Sequence, residues 1–268
     1  MTHHDRVREA RFVGTESFNE WGSPGEADLQ FNAAMKVKAV IFDLFGTLVG
    51  DFASSAGQMN AELAAALEVP YEPFMRLWRE TTEMRTIGAF QTVEASIEYV
   101  CGAMGAQITA EQLSKAVEIR LRHTRRALEP KANAVATLAR LKNQGFKLGL
   151  LSNCSIEIPI LWQETEFADL IESPIFSCRA RLKKPDPRIY HLACERLGVA
   201  AGDCLYVADG ENYELTAAAK VGMHPVLIRT SSQETRGEVL REAREWQGDT
   251  VSSLPEVLSL IGVTSNPS

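Results

Sequence analysis

The stretch "VKAVIFDLFGTLVG", residues 37–50, constrains this chain more than any other. Val37, Ala39, Val40, Ile41 and Phe42 form an apolar run without polar alternation, which reads as a strand covered on both faces. The run stops at a carboxylate, Asp43. Burying that group without a partner would cost several kcal/mol. A cation, a metal or a substrate must therefore meet Asp43 at the end of the strand.

The rest of the chain supplies a sheet for that strand. From about residue 131 helical and strand patterns alternate. The helix "NAVATLARLKNQ" stops at Gly145 and is followed by the strand "FKLGLLS", a helix near 156–165 and the short apolar "PIFS". The helix "DPRIYHLACERL" then stops at Gly198 before the strand "CLYVAD", and "YELTAAAKV" stops at Gly222 before "HPVLIR". Alternation of this kind predicts an α/β fold, a parallel sheet with helices on both faces. Residues 56–127 read as helical throughout, with Val93, Ile97, Val100, Cys101 and Met104 at helical spacing and Thr109 with Gln112 as a capping box. The basic run "RLRHTRR" in this region reads as a solvated helix face.

Composition excludes several classes. The 268 residues are 45% apolar and 24% charged, as in a soluble globular protein, and a formal net charge of −7 argues against a nucleic-acid or anionic-membrane binder. A local basic pocket for a small anion remains compatible with that balance. The cysteines Cys101, Cys154, Cys178, Cys194 and Cys204 lack CxxC spacing and read as reduced core residues. No apolar run nears the roughly 20 residues of a membrane span, and no signal-peptide core precedes the first strand. The expectation is a cytoplasmic protein. Residues 1–35 lack a sustained period and read as an N-terminal extension in which Phe12, Phe18, Trp21 and Phe31 leave a docking role open; residues 263–268 read as a tail.

In an open α/β sheet, ligands sit at the carboxyl ends of the strands. Asp43, Ser152 with Asn153, and Asp209 fall at three such ends, and Lys184 lies in the loop before "DPRIY". Two carboxylates, a hydroxyl and a lysine on one rim suit nucleophilic attack by a carboxylate. Mg²⁺ would relieve the repulsion between the acids, and the lysine and hydroxyl would hold phosphoryl oxygens.

"DLFGT", "LLSNCS", "KKPDPRIY" and "ADGENYELTAAAKVGM" resemble, in order and spacing, the four motifs of the haloacid dehalogenase-like (HAD) hydrolase superfamily, over about residues 36–262. The resemblance implies a Rossmann-like, doubly wound core (36–54 and 128–262) with a helical cap (55–127). It implies Asp43 as nucleophile, Thr47 supporting its loop, Ser152 binding the transferred group, and Lys184 neutralising charge, with Asn153 beside Ser152 as a further catalytic candidate. It also implies Mg²⁺ held by Asp43, Asp209 and the carbonyl of Phe45, with Glu214 meeting the metal or its water.

Phe45 departs from the pattern of the superfamily's phosphatases, which carry an aspartate there to protonate the leaving group. The superfamily's 2-haloacid dehalogenases carry an aromatic residue at that place. Arg79 after Trp78, and Tyr190 six residues after Lys184, also resemble them. Asp209 does not, because those enzymes need no metal and have a small neutral residue there. The expectation is a Mg²⁺-dependent hydrolase acting on a small phosphorylated metabolite. A metal-independent dehalogenase and a catalytically degenerate binding protein are the alternatives. Phe45, Arg79, Ser152 and Lys184 are the expected contacts to a small anionic substrate, and Trp78, Arg85 and Phe90 are further candidates for the cap face. A homodimer through the cap is compatible with the sequence.

Overall fold

Strand β1 (Ala39–Phe42) is buried at every residue, and the sheet is built outward from it. The computed structural model describes residues 37–229 and 241–263. The expected extension 1–35 and residues 264–268 of the tail lie outside the described residues. Strands β2 (Lys147–Ser152), β3 (Ser173–Phe176), β4 (Cys204–Ala208), β5 (His224–Ile228) and β6 (Thr250–Val251) complete a sheet in the order β3-β2-β1-β4-β5-β6. All pairings are parallel. This is the doubly wound, Rossmann-like α/β order, and the chain reverses direction across the sheet at β1 and β4, where a crevice opens at the carboxyl ends.

The two-residue period of β1 sorts its side chains between two cores. Val40 and Phe42 join Leu148, Leu150, Leu205 and Val207 under helices α6 (Ala134–Asn143) and α12 (Leu254–Leu260). Ala39 and Ile41 join Leu151 and Tyr206 under α9 (Pro187–Leu197) and α10 (Glu214–Lys220). The start of α9 is written locally: Asp186 caps it by accepting from the Arg188 N–H, Pro187 opens it, and Gly198 ends it at φ 62°.

Between β1 and α6 lie five helices: α1 (Ala53–Ala66), α2 (Tyr71–Glu80), α3 (Thr82–Thr86), α4 (Val93–Ala103) and α5 (Ala110–Ala127). They enclose an apolar cluster of their own, including Met59, Leu63, Phe74, Trp78, Ile97 and Val100. Both halves of the capping box at Thr109 and Gln112 are formed. No described helix is long and apolar enough to cross a membrane. Short helices α7 (Glu157–Leu161), α8 (Ser177–Ala180) and α11 (Arg241–Glu245) complete the described elements named here.

One expectation is corrected. The basic run 120–126 is not a uniformly solvated face, because Arg120, His123 and Thr124 are buried. Their spacing of three and four puts them on the inward side of α5, where Arg120 pairs with buried Glu157. Only the other side of the run is solvated, with Arg125 paired to Glu164 at 2.7 Å.

One hydroxyl adds to the ties between the helical segment and the sheet. Ser177 Oγ accepts from the Cys154 N–H (2.9 Å), just beyond β2, and donates to the carbonyl of Thr86 at the end of α3 (2.7 Å). Next to it Gly88, at φ +74°, lies so close that a Cβ would stand 1.8 Å from the Cys178 carbonyl oxygen.

Ile97, fully buried in the helical cluster, offers a direct measure of that cluster's contribution. Ile97→Ala is expected to lower stability by about 2–5 kcal/mol, read from denaturant unfolding.

Candidate active site

The backbone of Asp43 still belongs to the sheet, since its N–H donates to the Val207 carbonyl (2.9 Å). Its carboxylate therefore leaves the last rung of β1 and points out of the strand end. Lys184 Nζ meets it at 2.5 Å and meets Glu214 Oε2 at the same distance. Glu214, at the start of α10, is fixed in turn by the Tyr206 hydroxyl on Oε2 (2.6 Å) and the Glu211 N–H on Oε1 (3.1 Å). Asn153 grips the backbone of Lys184 on both sides, accepting from its N–H (2.8 Å) and donating to its carbonyl (3.0 Å). The lysine is thus placed by the loop after β2 and aimed by the acid of α10.

Asp209 follows β4 directly. Carboxylate oxygens of Asp43, Asp209 and Glu214 lie within 4.8 Å of one another, all three residues buried. Burial and the nearby Glu214 and Asp43 raise Asp209 well above the usual carboxylate range. Burial also raises Asp43, to about 6, with Lys184 opposing the rise and Glu214 adding to it. Burial is likewise the main cause that pushes Glu211 up to about 7, with Asp43 and Glu214 adding to it. For Lys184, burial disfavours the charge, but Asp43 and Glu214 outweigh it and hold the ammonium protonated. The crowded acids outnumber the cations beside them, and oxygen ligands in this arrangement suit a hard divalent cation. Their spread is only slightly wider than the roughly 4.2 Å between opposite oxygens of a Mg²⁺ shell. Glu214 already accepts three protein hydrogen bonds, so Asp43 and Asp209 are the acids better placed to hold a metal.

Two hydroxyls at the rim are buried without a hydrogen-bond partner, Thr47 Oγ1 and Ser152 Oγ. Native interiors leave few such groups, and both belong to the strand-end set. Gly46, between Phe45 and Thr47, sits at φ +78°, where a Cβ would fall 1.9 Å from Asp209 Oδ2. The loops after β1 and β4 therefore touch through a position only glycine can fill.

Beside the rim lies a cavity of about 400 Å³. Phe45, Asn153 and Glu211 reach it from the loops after β1, β2 and β4, and Trp78, Arg85 and Arg120 from the helices. Phe45 packs edge-on against Phe52, ring centres 5.3 Å apart.

Residues 37–222 match the family of haloacid dehalogenase-like hydrolases. The chain belongs to that family. Among its relatives is (S)-2-haloacid dehalogenase 4A of Burkholderia cepacia, 28% identical over 72% of this chain and 83% of that protein. A phosphatase of Mycobacterium tuberculosis is 27% identical over 78% of this chain and 94% of its own length. The crystal structure of a HAD phosphatase from Thermococcus onnurineus aligns with a TM-score of 0.59 at 20% identity, covering 84% of this chain and 98% of that one. The protein is therefore a HAD-like hydrolase, with both dehalogenases and phosphatases among its relatives.

Within this HAD-like hydrolase the residues expected from sequence fall unevenly. Asp43, Lys184, Glu214 and Asp209 form one buried cluster, Asn153 is bonded to it through Lys184, and Thr47 and Ser152 lie at its strand ends. Phe45 lines the cavity. Arg79 is exposed, its Nε donating to the Met75 carbonyl (3.1 Å), and it reaches only the lining of the cavity. Tyr190 is buried and donates to the Glu214 carbonyl (3.1 Å), steadying the start of α10.

Sequence reading missed Lys131, Tyr206 and Glu211. The Lys131 ammonium donates to the Gly46 carbonyl and lies in the fields of Asp209 and Asp43. It stands alone after Pro130, with no pattern to single it out.

Gly46→Ala is expected to destabilise by more than the about 1–2 kcal/mol that left-handed backbone alone costs an L-residue, because Asp209 must also move. Thermal unfolding against wild type measures this.

Proposed function

We propose that this HAD-like hydrolase is a Mg²⁺-dependent phosphohydrolase acting on a small phosphorylated metabolite, with Asp43 carrying the phosphoryl group between substrate and water. The observation that carries the reading is the buried acid cluster of Asp43, Asp209 and Glu214. A second acid facing the nucleophile is tolerable mainly with a cation between them. Mg²⁺ would be held by Asp43, Asp209 and the carbonyl of Phe45, with Glu214 behind them, and when bound it would neutralise charge building on the phosphoryl oxygens.

The chain's own groups account for the remaining chemistry. A carboxylate oxygen of Asp43 attacks phosphorus while the bond to the leaving oxygen breaks, giving an aspartyl phosphate that water then hydrolyses. Lys184, held at 2.5 Å from Asp43, keeps that carboxylate aimed and offsets negative charge. The hydroxyls of Ser152 and Thr47, unpartnered within the protein, are available to donate to the transferred group. Phe45 can neither protonate a leaving alkoxide nor activate water, so turnover should fall steeply as the leaving group becomes more basic. In this reading the five helices act as the cap over the rim.

Phe45 also favours a second reading. An apolar wall beside Asp43 suits displacement of halide from a 2-haloacid, which needs no proton donor, and the Burkholderia relative is named for that activity. Asp43 would then form a carboxylic ester, with halide as leaving group.

The deciding experiment measures phosphate release from p-nitrophenyl phosphate and a panel of phosphomonoesters, with Mg²⁺ or EDTA, using Asp43→Asn as the blank. Release that disappears with EDTA and with the substitution supports the phosphohydrolase. Silence across the panel, with halide released from 2-haloacids in EDTA, replaces it by the second reading. For a phosphohydrolase, Phe45→Asp is expected to raise kcat on alkyl phosphates by about 100-fold, the lower end of general acid catalysis, with less gain on p-nitrophenyl phosphate.

A further inference from the structure

Arg85 and Arg120 are the most deeply buried cations among the described residues apart from Lys184, only 8% and 3% exposed. They come from different helices, α3 and α5, and both guanidinium groups lie against the indole of Trp78, at 4.0 and 4.7 Å from its centre. One carboxylate, Glu157, serves the pair, and it is bonded to Arg120. The side-chain hydrogen bonds of Arg85 go to hydroxyls, Thr81 Oγ1 at 2.6 Å and Thr82 Oγ1 at 3.1 Å. Burial, with Arg120 adding to it, pulls Arg85 down to about 9, against the opposing field of Glu157. Two buried cations thus share one anion, an arrangement that desolvation penalises unless another anion arrives.

The same residues line the 400 Å³ cavity that reaches Phe45 and Glu211 at the rim, a volume suited to a small metabolite. Three further lining residues carry buried oxygens without a hydrogen-bond partner: Asn60 Oδ1, Thr124 Oγ1 and Glu157 Oε2. Two of these can only accept, and a hydroxyl can do so. The cavity therefore sets a buried arginine pair, with one carboxylate bonded to it, beside acceptors that lack donors.

We propose that the Arg85–Arg120 pair on Trp78 is an anion subsite for the end of the substrate remote from the scissile bond, so that the substrate is a small phosphorylated acid bearing hydroxyl or amino groups. This rests on the phosphohydrolase reading for the reacting end. The planar fork of a guanidinium matches a carboxylate with two parallel hydrogen bonds, and the indole holds both forks in place before the acid arrives. The hydroxyl or amino donors fill the unpartnered oxygens of Asn60, Thr124 and Glu157.

The test uses the full chain with Mg²⁺ and pairs of phosphomonoesters that differ only in having a carboxylate or a neutral group at the far end. Wild type is expected to favour the acid of each pair in kcat/KM by roughly 10–100-fold, the range of one or two charge-assisted hydrogen bonds. In Arg85→Gln that preference should collapse, mainly through KM, and Arg85→Lys should restore it only in part. Because the preference is a ratio within one variant, a general loss of folding or activity does not move it. Equal use of both partners by wild type, or a preference that survives in Arg85→Gln, overturns the subsite. If p-nitrophenyl phosphate and every monoester stay intact, the phosphohydrolase reading has failed, and calorimetry with short hydroxy dicarboxylates decides the subsite. Binding that is lost in Arg85→Gln upholds it, and no binding to wild type overturns it.

Discussion

Lys184 is the constraint on which the site depends. Its ammonium stands between Asp43 and Glu214, which come from opposite ends of the motif set, and without it both would face one another in a buried space. Removing one partner of a buried ion pair costs about 3–5 kcal/mol or forces protonation of the group left behind. The surrounding structure can be read as arrangements to hold this cation. Asn153 fixes its backbone, Tyr206 and the Glu211 N–H fix its second acid, and Tyr190 steadies the helix from which that acid projects. Burial and Glu214 push the Asp43 carboxyl upward, and Lys184 alone of the three-way contact pulls it back.

The core of the fold was legible because its signals are periodic or positional. A strand buried on both faces has to read as an unbroken apolar run, and parallel strands need helices between them, so β1 to β5 and their helices follow from the pattern. The strand-end rule then found Asp43, Ser152 and Asp209 without any homologue. The two residues of β6 are too few to carry a period.

The lost signals share a physical reason. Arg120 lies in a run where charge is the dominant feature, and charge runs are usually solvated; only the third dimension brings Glu157 and Trp78 to it. Arg79, beside Trp78 in sequence, looked the better contact, yet it is exposed, and Arg85 occupies the buried place one helix further on. Lys131 is a single residue in a loop and Glu211 opens a one-turn 3-10 helix, both too short for a periodicity to mark them. Phe45 and Asp209 pull the chemical reading in different directions. The aromatic removes a proton donor, and the buried acid suits a cation, so the combination belongs to neither pattern in full.

The Ser177 hydroxyl has a mechanical consequence. It ties the Thr86 carbonyl, one residue after Arg85, to the N–H of Cys154, one residue after Asn153. Together with the ion pairs Arg120–Glu157 and Lys183–Glu83 it fastens the helices to the sheet, so the arginine pair and the loop that grips Lys184 share one anchor.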